Sequence, residues 1–125
     1  MSNIITEHYI KLMPIAEDIK RPLWTVVIPT YNCANYLKET LASVLEQDPG
    51  EASMEIIVVD DHSTKDDPEA VVKEFGKGRV KFIRQEKNVG KVKNYETGLT
   101  ISKGTYIHQL HGDDKVLPGF YKEME

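Results

Sequence analysis

Two adjacent aspartates, Asp113 and Asp114, stand in the segment YIHQLHGDDKVLPGFY, where an apolar, strand-like approach gives way to a glycine, two acids and then a proline that reads as a helix start. Neighbouring carboxylates repel, so the pair costs stability unless a cation or a polar ligand offsets it. Mg2+ and Mn2+ prefer carboxylate oxygens and keep positions for water and phosphate oxygens. One or two aspartates therefore suffice when the ligand carries a diphosphate. The plainer reading is a solvated Gly-Asp turn with an aspartate capping the helix led by Pro118. Residue types alone leave the two open.

A second acidic pair, Asp60 and Asp61, ends the run MEIIVVDD. A carboxylate at a strand end accepts a hydrogen bond from the imide N–H of uracil or thymine, or from ribose hydroxyls; it serves equally as a cap for the Ser63 and Thr64 turn. Asp60, nearer the strand, is read as structural and Asp61 as facing a ligand. Tyr31, after the first apolar run, offers a face for stacking on a base or for packing. Asn32 reads as a turn residue. Lys87, Lys91 and Lys93 supply charge for phosphate or simply a solvated face. Among the histidines, His108 is expected in the fourth strand, core-facing or at an edge, with its ring satisfied, and His62 in a solvated turn. His111 faces either a metal, ribose or phosphate, or a local turn partner. No P-loop and no G-x-S-x-G nucleophile motif is present.

These clusters need elements to hold them. WTVVIP, Trp24 to Pro29, is a largely β-branched apolar run suited to a strand buried on both faces, ended where Pro29 removes a donor. A helix follows with Leu37, Leu41, Val44 and Leu45 on one stripe, closing at Asp48, Pro49 and Gly50. MEIIVVDD repeats the strand pattern; Asp67 and Pro68 then supply an N-cap and first residue for a helix carrying Val71, Val72 and Phe75. RVKFIRQ is a third strand and EKNVG a turn. A third helix shows Val92, Tyr95 and Leu99 as its inner face, and TYIHQL is a fourth strand. Residues 1–22 read as an amphipathic extension, with Ile5, Tyr9 and Leu12 at helical spacing until Pro14. Alternating strands and helices imply an α/β fold with a mostly parallel sheet and helices on both faces. Such sheets bind ligands at the carboxyl ends of their strands, where TYN, DDHST, KNVG and HGDD would all collect.

The bulk properties fit one domain. The 125 residues are 40% hydrophobic and 29% charged, the balance of a globular chain able to build its own core, so the acidic pairs are not needed as metal staples. A net charge of -4 lacks the basic field that nucleic-acid polymers require. The single cysteine, Cys33, is expected at a helix start and points to a reducing compartment. No run reaches the ~18 to 20 apolar residues that span a bilayer, and the first residues lack the apolar core of a signal peptide. The expected location is the cytoplasm, free or held peripherally at the inner membrane face.

Taken together, VVIPTYNCANYLKETLASVLEQ, EIIVVDDHSTKD, RQEKNVGKVKN and GTYIHQLHGDDKVLPGFY resemble, in order and spacing, the family 2 glycosyltransferases of the GT-A, Rossmann-like nucleotide-diphospho-sugar transferase fold. The resemblance covers Trp24 to the end, so residues 23–125 are read as the nucleotide-sugar-binding portion. It implies a strand order of 3-2-1-4 and a nucleotide sugar, usually UDP-linked, at the strand ends. Carried over by position, Pro29 and Tyr31 belong to the nucleotide site with Tyr31 stacked on the base, and Asp61 binds the base edge. Asp113 lies near ribose and metal, and Asp114 ligates Mn2+ or Mg2+ with the diphosphate. The metal neutralises charge on the leaving nucleoside diphosphate in an inverting displacement by an acceptor hydroxyl. Three positions depart from the common pattern: His111 where many relatives carry an acid, Lys93 and Asn94 where Arg-Asn is common, and His62 where a small residue is usual. Members of the fold generally continue further, so the acceptor site and general base are expected beyond Glu125. The acceptor expected is a polysaccharide or glycolipid precursor.

Two other classes compete. A receiver-type signalling domain also gathers acids and a metal at strand ends, yet it needs an acidic pair after the first strand, where this chain has PTYN. A non-catalytic interaction module would keep the fold and use an exposed edge to form homo-oligomers.

Overall fold

Two apolar seven-residue runs without an exposed residue dictate a sheet covered on both sides. The computed structural model describes residues 9–11 and 21–124. In chain order the elements are β1 (Tyr9–Lys11), β2 (Trp24–Thr30), α1 (Ala34–Leu45), β3 (Met54–Asp60), α2 (Pro68–Phe75), β4 (Val80–Arg84), α3 (Lys91–Ile101), β5 (Tyr106–Gln109) and α4 (Phe120–Met124). The sheet order is β1-β5-β2-β3-β4, with β5, β2, β3 and β4 all parallel. Numbering only those four in sequence gives the expected 3-2-1-4.

Alternation along the strands sorts the core into two layers. Trp24, Val26, Ile28, Met54, Ile56 and Val58 meet Leu37, Leu41 and Val44 of α1 and Val71 and Val72 of α2. On the other face Val27, Ile57, Val59 and Ile107 meet Tyr95, Leu99 and Ile101 around α3. Fully burying one such aliphatic side chain contributes about 1.5–3 kcal/mol.

Two boundaries shift, since β2 runs past Pro29 to Thr30 and α4 starts at Phe120 rather than at Pro118, and the structure departs further from the sequence pattern in three places. Tyr9–Lys11 is an edge strand antiparallel to β5, pairing Tyr9 with His108 and Lys11 with Tyr106, instead of part of a helix; Ile5 and Leu12 lie outside the described residues. Val92 is 71% exposed, because α3 packs through Gly98 and Asn94. A Cβ at Gly98 would stand 2.5 Å from Val27 Cγ1 and 3.0 Å from Val59 Cγ2, a closeness that turns Val92 away from the sheet. Phe75 is exposed under the Lys38 ammonium, 5.4 Å from its ring centre. The cap on α2 is as read: Asp67 accepts from the Ala70 N–H at 3.1 Å, with Pro68 first in the helix.

At the amino end of β3, Glu55 is 9% exposed and accepts from Thr25 Oγ1, Lys81 Nζ and the Lys103 N–H, each at 2.9 Å. Burial pushes its pKa up, but these donors outweigh burial and hold it below its ordinary 4.5. A depressed carboxyl stabilises the fold fully above its unfolded value and loses that contribution as pH falls through the folded one. Urea midpoints should therefore fall from about pH 4.5 downward, and Glu55→Gln should start lower at neutral pH and show a shallower acid slope. Equal slopes would show that Glu55 does not carry the dependence.

Candidate functional site

The register aligns the carboxyl ends. Thr30 pairs with Asp60 and Asp60 with Arg84, while β5 continues past Gln109 through Leu110 N–H to Val27 O at 2.9 Å and Gly112 N–H to Pro29 O at 3.0 Å. The loops after β2, β3, β4 and β5 thus share one rim.

The loop after β3 organises its neighbours. Asp60 is fully buried and consumed internally: it accepts from the Ser63 N–H at 3.0 Å and from Ser63 Oγ, with Arg84 Nε 3.6 Å away. Ser63 Oγ in turn accepts from the Asn32 N–H at 2.9 Å. Asn32, at φ 52°, accepts on Oδ1 from the N–H groups of Thr64 and Lys65 at 3.0 and 3.1 Å. It is a turn residue, as read, that also clamps two loops together. Helix α1 begins at Cys33 with no side-chain cap of its own; Asp66 supplies one, accepting from the Ala34 N–H at 2.9 Å.

Asp61 is 4% exposed. Its Oδ1 accepts from the Val89 N–H at 2.7 Å, and its Oδ2 from the Gly90 N–H at 3.0 Å and Asn88 Nδ2 at 3.1 Å. Asparagine 94 of α3 donates to Val59 O at 2.9 Å and fixes the same helix to β3. The β4–α3 loop is thereby held against the end of β3.

A cavity of about 220 Å³ opens on this rim, and its walls include Pro29, Tyr31, Asp61, Lys91, His111 and Asp113. That volume is below the roughly 300–1,000 Å³ of a pocket enclosing a whole drug-sized ligand, so it suits one part of a larger molecule. Tyr31 is 48% exposed, with its ring available at the mouth. The structure thus brings together four of the five residues singled out from the sequence. The fifth, Asp114, is exposed on the adjoining turn and does not line the cavity; its N–H donates to His111 O at 3.0 Å and its carbonyl accepts from Thr40 Oγ1. Among the described residues no group of three or more His, Cys, Asp or Glu side chains is placed to hold a metal.

Thr40 has no place in the sequence reading of the site, and Lys91 stands there only as one of three lysines weighed together. Thr40 is wholly buried, and its one hydroxyl proton is shared between Gly112 O, at 3.0 Å, and Asp114 O; the signal for it was a polar residue beside the apolar stripe of α1. Of the three lysines considered for phosphate, Lys91 alone lines the cavity. His108 is buried, bonds Tyr121 Oη at 2.9 Å and stacks on Phe120 at 4.9 Å, while burial pushes the Tyr121 phenol far above its ordinary pKa. His62, at φ 64°, is half-buried and its Nδ1 bonds Gln85 O at 3.0 Å, so its turn is anchored where the sequence suggested solvent.

Residues 25–124 match the family described as glycosyl transferase family 2. The chain belongs to this family. Membership decides against the receiver-type alternative. The poly(ribitol-phosphate) beta-N-acetylglucosaminyltransferase TarP of Staphylococcus aureus is 39% identical over 93 residues, covering 72% of this chain and 28% of that protein. The crystal structure of S. aureus TarS 1-349 in complex with UDP-GlcNAc superposes with a TM-score of 0.75 at 30% identity, covering 81% of this chain and 29% of that one. A mannosyltransferase from Pyrobaculum calidifontis in complex with GDP-Man and Mn2+ follows at a TM-score of 0.67 and 29% identity, with 74% and 28% covered. The chain spans between 11% and 30% of the length of the first curated relatives it matches. Among the described residues no helix is long and apolar enough to cross a membrane.

Proposed function

We propose that this family 2 chain is the donor-binding part of a glycosyltransferase: it holds a nucleotide-diphospho-sugar, UDP-linked by preference, whose sugar passes with inversion to an acceptor hydroxyl. The observation that carries the reading is the convergence of Pro29, Tyr31, Asp61 and Asp113, from the ends of three separate strands and the segments that follow them, on one cavity at the carboxyl edge of the sheet. The TarS complex, which holds UDP-GlcNAc on a similar fold, supports it.

In this reading the Tyr31 ring stacks on the base, and Asp61 accepts from the imide N–H that uracil presents. Asp113 contacts ribose, and the Lys91 ammonium attracts the diphosphate. A divalent metal fits the donors available. Asp113 and Asp114 would hold it as oxygen donors on consecutive residues of a turn, too few to cage an ion by themselves and suited to Mn2+ or Mg2+, which would share phosphate oxygens and water. When bound, the metal supplies positive charge that stabilises the departing nucleoside diphosphate. The acceptor is proposed to be a polysaccharide or glycolipid precursor, with the general base contributed from outside residues 25–124. The proposed location is the cytoplasm, free or at the inner membrane face.

The test is a melting series with UDP, TDP and GDP, each with and without Mn2+ or Mg2+. Near hundredfold saturation, UDP with Mn2+ should raise Tm on the order of 5–10 °C, well above UDP or metal alone. A folded sample that shifts with no nucleotide would leave the non-catalytic interaction module as the better account.

A further inference from the structure

Asp61 does more in this structure than a base contact requires. Three donors from the Asn88–Gly90 loop converge on its carboxylate, at 2.7, 3.0 and 3.1 Å, and its own N–H is tied to Thr30 O at 3.0 Å. Helix α3 starts directly after that loop, with Gly90 at its N-cap and no side-chain cap from its own segment. The carboxylate that holds the N-cap residue Gly90 and the preceding Val89 by their N–H groups stands just past the end of β3, 29 and 28 residues earlier in the chain. The first residue of the helix is Lys91, which lines the cavity.

A carboxylate offers about four lone-pair positions. Two on Oδ2 and one on Oδ1 are taken, leaving one on Oδ1 for a ligand. The group that would read the base edge is thus the one that fixes where Lys91 stands. We propose that Asp61 is a positioning residue for the diphosphate end of the site, acting through the Asn88–Gly90 loop on Lys91, in addition to any contact it makes with a base. The proposal rests on the nucleotide-sugar reading above. It makes the base end and the phosphate end interdependent through a single side chain.

Asp61→Asn is the informative substitution. Asparagine keeps the shape but has one acceptor oxygen, and its amide must turn N–H groups toward Val89 N–H or toward Gly90 N–H and Asn88 Nδ2, setting donor against donor. The probe is inorganic pyrophosphate with Mn2+, which has no base, titrated calorimetrically into the full chain beside UDP with Mn2+. Asp61→Asn is expected to weaken pyrophosphate at least fivefold and UDP by more. Lys91→Ala should weaken pyrophosphate similarly and add little in the Asp61→Asn background, because both changes remove one contribution. Asn88→Ala, which takes away one loop donor and leaves the carboxylate in place, should give an intermediate loss and serves if Asp61→Asn does not fold. Pyrophosphate affinity unchanged in Asp61→Asn or Asn88→Ala while UDP affinity falls, or losses from Asp61→Asn and Lys91→Ala that simply add, would overturn the positioning role and leave the nucleotide reading intact. A wild-type chain that binds neither pyrophosphate nor UDP would overturn both.

Discussion

Asp114→Ala is expected to abolish the Mn2+-dependent part of UDP stabilisation while leaving the ligand-free chain as stable as before, or slightly more so. The two halves of this expectation have separate causes. The backbone of residue 114 is clamped by its N–H to His111 O and its carbonyl to Thr40 Oγ1, and neither bond uses the side chain. The carboxylate itself is exposed beside that of Asp113, and exposed substitutions of this kind usually change stability by no more than about 0.5 kcal/mol. Removing one of two neighbouring negative charges also relieves repulsion. A residue kept only as a turn former or cap would lose stability on truncation, typically about 1 kcal/mol. The sign of the change in ligand-free Tm therefore separates structural use from ligand use. The measurement is a pair of melting curves, with and without UDP and Mn2+, for wild type, Asp114→Ala and Asp113→Ala. If Asp114→Ala keeps the full metal-dependent rise, its carboxylate is not a ligand and the metal assignment falls to Asp113 alone.

Much of this arrangement was readable because the strands are short of polar residues until they end. Continuous apolar runs such as TVVI and IIVV announce burial on both faces, and the first polar residue after each marks the rim where a ligand site belongs. Asp67 and Pro68 were equally plain, since their cap acts on residues within the same turn. Harder to read was whatever depends on distant partners. Asn32 has its clamp partners 32 and 33 residues away, and Thr40 reaches 72 and 74 residues along the chain. Nothing in local spacing encodes such bonds. Helix α3 misled for a related reason: its apolar residues suggested that Val92 faced inward, whereas its orientation follows from the space left at Gly98 and the Asn94 bond to Val59 O. Strand β1 pairs through backbone groups along only three residues, too few for any side-chain period to reveal.

Gly112→Ala should cost both stability and ligand binding, although it adds a single methyl group next to the acidic pair. A Cβ at this position would lie 2.8 Å from Thr30 Oγ1, 2.9 Å from Cys33 Sγ and 3.0 Å from Thr30 Cβ. Thr30 is 3% exposed, its Cβ is fixed by the strand, and its hydroxyl is in contact with the Cys33 thiol at 2.7 Å, so the threonine cannot simply turn away from an added methyl group. The loop must move instead. It is held in place by Gly112 N–H to Pro29 O and by Thr40 Oγ1 to Gly112 O, both 3.0 Å, and these bonds lengthen if it lifts. Overpacking of this kind costs about 1–3 kcal/mol. Asp113 and Asp114 ride on the same segment, so the lift also displaces them relative to the rest of the site. UDP binding with Mn2+ is expected to weaken at least tenfold, which corresponds to about 1.4 kcal/mol. Removing the obstructing atoms provides the decisive control: Thr30→Ala with Cys33→Ala, combined with Gly112→Ala, should recover a large part of the loss, a coupling between contacting residues that independent sites do not show. Recovery would establish that closeness between the loops after β2 and β5 sets the position of the acids. Additive losses in the triple variant would mean that Gly112 serves the site in some other way.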